Sequence, residues 1–150
     1  DFIWSIDPVN DELSKLFIHI RDFGEKLFEE KNIQFRAFND VKEPTKLPYG
    51  FSREANLIFK EAMTNAFKYS NAKNVSLSLH RHDGGFEMIL EDDGIGFYTG
   101  DVQKSNGLKN IRERSDRINA ILRIHSVKSQ GTKIVLGFKL NKTLKYGLTL

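Results

Sequence analysis

The sequence contains no cysteine among its 150 residues and only three prolines. The lack of cysteine excludes disulfide bonds and thiolate metal ligands, so the soft metal ligands are four histidines: His19, His80, His82 and His125. No apolar run approaches the roughly 20 residues that a membrane-spanning helix requires. Repeats and low-complexity segments are also lacking, and the composition is that of an ordinary globular domain.

Length and charge narrow the class of protein further. With 150 residues, 39% of them hydrophobic, the chain is long enough to bury one sizeable hydrophobic core and too short for two stable domains. The net charge of +3 is small and the basic residues are interspersed with acidic ones, which favours a solvated surface over a nucleic-acid interface. The first residue is Asp1 and not methionine, so we expect the chain to be a piece of a longer protein.

Apolar periodicity predicts an alternation of helices, strands and hairpins. Spacing of three and four predicts helices over residues 11–31, 52–69 and 108–119, the first capped by Asn10 or Asp11, with residues 1–6 ending a separate helix. Alternation predicts strands over residues 33–38, 75–81, 86–91, 121–127 and 133–140, with hairpin turns at 83–85 and 128–131. This order predicts an α+β two-layer sandwich, a mixed sheet covered on one face by helices.

The first motif whose side chains could bind a ligand or take part in a reaction lies on the second predicted helix. Glu61, Asn65 and Lys68 fall on one narrow stripe, which lies between Leu57 and Ile58. Two interpretations are open. The residues are polar side chains at the border of a surface helix, or they bind a metal ion and phosphate. In the second interpretation Asn65 offers a hard oxygen ligand for Mg²⁺, Glu61 holds a metal-bound water or accepts a proton, and Lys68 meets a phosphate.

The second motif, Asp92-Asp93-Gly94-Ile95-Gly96, follows a predicted strand. It is typical of a simple turn, because Asp and Gly are turn residues. The alternative interpretation is a binding motif, in which a carboxylate at the strand end accepts a hydrogen bond from an exocyclic amine such as that of adenine. The glycines allow a flat base to approach the backbone.

The third motif, residues 105–111, opens a helix with Gly107 and Leu108. A capped helix start is commonly structural, but free amides at a helix N-terminus also bind phosphate. The preceding loop has the length and polarity of a lid. Phe97 and Tyr98 are either aromatic residues of that lid or residues that pack the loop. Thr132, before the last predicted strand, adds a hydroxyl group nearby.

In this order the three motifs resemble the N, G1 and G2 boxes of the GHKL ATPase superfamily, which includes gyrase-type topoisomerases, Hsp90, MutL and histidine kinases. Residues 65–70, 107–114 and 131–134 resemble the nitrate-sensor and DesK-like subfamily of two-component sensor histidine kinases. Residues 1–8 resemble the end of a dimerisation helix of that group, so the resemblance implies that residues 9–150 are the ATP-binding catalytic domain. The implied fold is the Bergerat α/β sandwich.

The resemblance also implies roles for individual residues, with ATP and Mg²⁺ as cofactors. Asn65 would coordinate Mg²⁺, Glu61 would support its water shell, Lys68 would contact phosphate and Asp92 would hold the adenine amine. The remaining cofactor-binding residues implied by the resemblance are Tyr69 beside the stripe, Gly94 and Gly96 at the base, Gly107 and Leu108 on the phosphate side, and Thr132 behind Asp92. Ser105 departs from the glycine that often begins the G2 box.

The function implied by the resemblance is transfer of the ATP γ-phosphate to a histidine on an upstream helical domain. None of the four histidines lies in a phosphoacceptor context, so we expect no autophosphorylation by this chain alone. A response regulator is the implied partner, and a cytoplasmic domain of a membrane-bound bacterial sensor the implied location. A serine kinase of the anti-sigma-factor type and a nucleotide-sensing interaction domain without transfer activity are the alternatives.

His80 and His82 point to the same side of a predicted strand, which is the spacing of a metal pair. The sequence shows no third ligand beside them. We therefore interpret them as solvated residues on the outer face of a hairpin.

Overall fold

The computed structural model describes Trp4, residues 7–96 and residues 106–140. A short 3-10 turn, Pro8–Asn10, precedes the regular elements. In chain order these are α1 Leu13–Glu29, β1 Gln34–Asn39, α2 Phe51–Tyr69, β2 Asn74–His82, β3 Gly85–Asp92, α3 Asn106–Arg117, β4 Ile121–Val127 and β5 Gly131–Phe138.

The strands form one five-stranded mixed sheet in the order β1-β2-β3-β5-β4. The β1 and β2 strands are parallel, and the remaining neighbours are antiparallel. On β2, Val75, Leu77 and Leu79 are buried and alternate with more exposed residues, as expected when helices cover one face of a sheet. The predicted α+β two-layer sandwich is confirmed.

The predicted elements from residue 11 onward are all present, with shifts of at most two residues at their ends. The hairpin after β2 turns through Asp83 and Gly84, whose φ angles of 51° and 77° match a two-residue primed turn. The α3 helix begins and ends two residues earlier than predicted. Asn119 adopts a φ of 53°, and the Ala120 amide bonds back to the Ser115 carbonyl at 3.0 Å, which closes the helix.

The predicted cap of α1 by Asn10 or Asp11 is wrong, because Glu12 is the N-cap. Its side chain accepts a hydrogen bond from the Lys15 amide at 3.1 Å and another from the Thr45 amide at 3.1 Å. Glu12 is held extended by a bridge to Lys46 in the following loop. A tertiary contact therefore selects the cap, and local propensity does not.

The core lies between the helices and the sheet. The largest fully buried side chains come from both layers: Leu13, Leu16, Ile20, Phe28, Ile58, Phe59, Met63, Leu77, Leu79, Met88, Ile111 and Leu136. The α3 helix is further attached to α2 by a half-buried ion-pair group, in which Arg114 and Arg117 lie 3.3 Å and 3.5 Å from a Glu54 carboxylate oxygen. This attachment holds the last turn of α3 beside the first turn of α2.

The N-terminal part is described only in places. Trp4 is helical and stacks on His19, with ring centroids 3.8 Å apart, and it packs against the core. The predicted helix over residues 1–6 otherwise lies outside the described residues, as do residues 97–105 and 141–150.

Among the described residues, no helix has both the length and the apolar character that crossing a membrane requires.

We predict that Leu136→Ala lowers the free energy of unfolding by about 2–5 kcal/mol, because Leu136 is fully buried and truncation leaves a cavity. The matched control is Ile121→Ala on the neighbouring strand, where the side chain is 68% exposed and the expected change is within about 0.5 kcal/mol. Urea titration followed by circular dichroism measures both. Equal losses in the two variants would contradict this location of the core.

Candidate functional site

The polar stripe on α2 meets the beginning of α3. A Cβ atom on Gly107 would collide with the Glu61 carboxylate and would lie 3.4 Å from the Asn65 amide nitrogen. Only a residue without a side chain permits this approach without a shift of Glu61. The fold therefore brings the first and third sequence motifs together, with the N-terminal turn of α3 beside Glu61 and Asn65.

Asp92 ends β3 on the face that packs against the helices. It is 9% exposed and shares its strand parity with the buried residues Leu90 and Met88. Its carboxylate accepts the Gly94 amide at 2.9 Å and a backbone hydrogen bond from Thr132, its partner across the sheet. Burial raises the pKa of Asp92 above its ordinary value, against the lowering effect of these hydrogen bonds.

The loop after Asp92 is anchored to the end of α2. Gly94 packs directly on the Ser70 backbone, where a Cβ atom would collide with the Ser70 carbonyl oxygen. The Ile95 amide donates to that same carbonyl at 2.7 Å. Farther along, Gly96 lies against the Val127 carbonyl at the turn between β4 and β5. These contacts fix the second motif relative to the first.

Asp93 has a different environment from its neighbour Asp92. It is exposed, and its carboxylate accepts hydrogen bonds from the Asn74 side chain at 2.8 Å and from the Asn74 and Lys73 amides at 2.9 Å. The Asn74 side-chain hydrogen bond, followed by the backbone ones, lowers the pKa of Asp93. Sequence reasoning missed Asp93 and Ser70 as positioning residues. The alternation of residues along the strand gave a partial indication, because it predicts that Asp92 and Asp93 face opposite sides.

The other predicted site residues lie at varying distances from these contacts. Thr132 pairs with Asp92 across the sheet, and its hydroxyl lies 2.9 Å from the Ser126 hydroxyl. Leu108 is buried in the core, whereas Lys68 and Tyr69 are exposed in the last turn of α2. No contact found among the described residues joins Lys68 or Tyr69 to Gly107. The predicted lid, with Phe97, Tyr98 and Ser105, lies outside the described residues.

The predicted site residues thus form two sets, one between α2 and α3 and one at the end of β3. The first consists of Glu61, Asn65 and Gly107, and it offers carboxylate and amide oxygens, which are the ligands Mg²⁺ prefers. The second consists of Asp92, Gly94 and Thr132, and it offers a buried carboxylate acceptor held by two backbone amides. The donor types in the first set fit a magnesium ion.

Solved structures of histidine kinases share this fold. The histidine kinase domain of the Erythrobacter litoralis EL346 blue-light activated histidine kinase superimposes with a TM-score of 0.70 at 18% identity, covering 83% of this chain and 61% of that one. The Acinetobacter baumannii histidine kinase AdeS gives a TM-score of 0.70 at 14% identity, with 86% and 65% covered. At these identities the likeness shows the fold, a histidine kinase-type ATPase sandwich.

The chain belongs to the family of histidine kinase-, DNA gyrase B- and HSP90-like ATPases, whose family model matches residues 50–142. The sensor protein VraS of Staphylococcus saprophyticus is 31% identical over 144 residues, which cover 87% of this chain and 41% of VraS. VraS of Staphylococcus aureus is 28% identical over 148 residues, covering 90% and 42%. The chain spans about two fifths of the length of these sensor proteins, to which it is homologous.

We predict opposite pH effects for Asp92 and Asp93 on stability. The pKa of Asp92 is raised in the folded chain, so Asp92 contributes stability at low pH. That stability is fully present below the pKa of the unfolded chain, about 3.9, and is lost as the pH rises through the pKa of the folded chain. A lowered pKa means that Asp93 contributes stability present above about 3.9 and lost as the pH falls through its folded value.

We test these two pH effects by measuring the free energy of unfolding from acid to neutral pH. The proteins compared are the wild type, Asp92→Asn and Asp93→Asn. Relative to the wild type, Asp92→Asn should gain stability as the pH rises, and Asp93→Asn should lose it. Each variant is the control for the other, since the residues are adjacent and the chemical change is identical. The same slope in both variants would refute the assignment of one buried and one hydrogen-bonded carboxylate.

Proposed function

We propose that this chain is the ATP-binding catalytic domain of a two-component sensor histidine kinase and transfers the γ-phosphate of Mg-ATP to a histidine on an upstream helical domain. The observation that carries the proposal is the approach of Gly107 to Glu61 and Asn65 within a chain of this ATPase family. All ten predicted site residues fall within the matched range of residues 50–142.

In this proposal Asp92 recognises the adenine base. A carboxylate has about four acceptor positions, and two are used by the Gly94 and Thr132 backbone amides. The remaining capacity suits the exocyclic amine of adenine, while the carbonyl oxygen of guanine at the same place leaves a buried acceptor unpaired. Gly94 and Gly96 would border the base, because their close packing on Ser70 and Val127 fixes the loop that follows Asp92.

The phosphates would lie between the α2 stripe and the N-terminal turn of α3. Free amides at a helix start attract phosphate, and Lys68 adds a positive charge at the end of α2. Asn65 and Glu61 would hold Mg²⁺, which when bound neutralises the phosphate charge that develops during transfer. The contribution of the protein is then mainly the positioning of ATP against its acceptor.

The wider setting of the proposal rests on the homologous sensor proteins. Residues 1–8 would end the second dimerisation helix of an upstream domain whose first helix carries the phosphoacceptor histidine. Residues 9–150 would form the catalytic domain. A response regulator would receive the phosphoryl group, and the domain would face the cytoplasm in a membrane-bound sensor. We also assign it to the nitrate-sensor and DesK-like subfamily, on the residues that carry that resemblance.

Calorimetric titration with Mg-ATP and Mg-GTP tests the nucleotide site. We predict that ATP binds and GTP does not, and that Asp92→Asn weakens ATP binding about tenfold to a hundredfold, the cost of losing a hydrogen bond to a charged group. Asn65→Ala should abolish the dependence on magnesium. Asp116→Asn, an exposed acid on α3, is the matched control and should bind as the wild type does. Equal binding of GTP would refute the role of Asp92.

A transfer assay on the full-length protein tests the acceptor. With ATP labelled on its γ-phosphate, we predict a label on histidine, which is lost in acid and kept in alkali. Glu61→Gln should retain ATP binding and slow transfer about a hundredfold or more, as for loss of a general acid-base group. An acid-stable label would favour the serine kinase, and ATP binding without any label would favour the interaction domain.

A further inference from the structure

Two histidines and a glutamate converge on the sheet face opposite the helices. On β2, His80 and His82 alternate with the buried core residues Leu77 and Leu79, and therefore lie on the other face. On β3, Glu87 pairs directly with His80. The residue that pairs with His82 is Gly85, which has no side chain to obstruct the space between His82 and Glu87.

The distances suit a single metal ion. The His80 Nε2 atom lies 3.3 Å from the Glu87 Oε1 atom, and the His82 Nε2 atom lies 3.8 Å from the Glu87 Oε2 atom. One ligand atom from each of the three residues can be chosen so that all lie within 4.8 Å of one another. Tetrahedral zinc, with bonds of about 2.0–2.1 Å, separates its ligand atoms by about 3.4 Å, so small side-chain adjustments suffice.

Glu87 is built into this position. It is 7% exposed, although acidic residues are seldom buried without a partner, and the Arg123 side chain on β4 contacts its Oε2 atom. The Oε1 atom faces His80. A carboxylate that ligates a metal is commonly oriented by a second partner on its other oxygen, and Arg123 has that placement. All four residues lie on paired strands, which hold the ligands more precisely than loops do.

We propose that His80, His82 and Glu87 form a binding site for a divalent transition-metal ion of the zinc type. Two imidazoles and one carboxylate are a common ligand set for zinc, and they leave one coordination position for water or for a group from a partner. The site is separate from the nucleotide site. Glu87 and Asp92 lie five residues apart on β3, about 17 Å along the strand, and face opposite sides of the sheet.

The competing explanation is a surface charge network, in which Arg123 and the two histidines merely neutralise Glu87. Such a network has no need of a metal and shows no affinity for one. Metal titration of the chain therefore separates the two explanations directly.

The experiment is calorimetric titration of the metal-free 150-residue chain with zinc chloride, repeated in competition with a chromophoric zinc chelator. We expect one zinc per chain, and a loss of affinity of more than about tenfold in His80→Ala and in His82→Ala, since even outer-shell partners contribute that much. His125→Ala is the matched control: an exposed histidine on β4 that should leave zinc binding unchanged. Asn65→Ala, at the magnesium position, should also bind zinc normally.

Thermal unfolding gives a second readout and checks that each variant folds. Zinc should raise the midpoint of the wild type and of His125→Ala, but not that of His80→Ala, because a ligand stabilises only a chain that binds it. Failure of the folded wild type to bind zinc would overturn the proposal. An equal loss in His125→Ala, or undiminished binding in both His80→Ala and His82→Ala, would overturn it as well.

Discussion

The burial of α2 against the sheet is the interaction on which the candidate nucleotide site depends. Ile58, Phe59 and Met63 are completely buried, which fixes both the position and the rotation of the helix. The polar stripe must then border the core at a set depth. The same helix holds α3 through Glu54 near its beginning and the second motif through Ser70 at its end, about 24 Å away along the axis. All three motifs are therefore positioned relative to one rigid element.

Asp92 and Asp93 show how one residue of register separates two kinds of acid. Asp92 keeps the inward parity of β3 and is buried, whereas Asp93 leaves the strand and accepts three hydrogen bonds at the surface. No salt bridge to Asp92 is found in the part of the chain that the structure describes. The free-energy cost of burying its carboxylate is offset only in part by its two backbone hydrogen bonds. The Asp92 carboxylate is buried at a cost and lies beside a loop that glycine contacts hold in place. This arrangement suits a binding site for a hydrogen-bond donor.

The sequence predicted what depends on local pattern. Helical spacing, strand alternation and the turn residues Asp83 and Gly84 were sufficient for the order of elements and the one-sided sheet. The cap by Glu12, the anchoring at Ser70 and the meeting of Gly107 with Glu61 depend on contacts between segments far apart in the chain. The same limit applies to the histidines: no third ligand was visible until the hairpin register placed Glu87 opposite His80.

The two sites share β3, and its pairing indicates how they relate. The strand is hydrogen-bonded to β2 along its whole length and to β5 from Phe86 to Asp92. Energetic coupling between sites requires an element with two discrete arrangements that both ligands bias. A strand paired on both sides has one register, because a slip by one residue would exchange its buried and exposed faces. Glu87 and Asp92 are therefore fixed independently, and zinc on the outer face should leave the geometry of the nucleotide site unchanged.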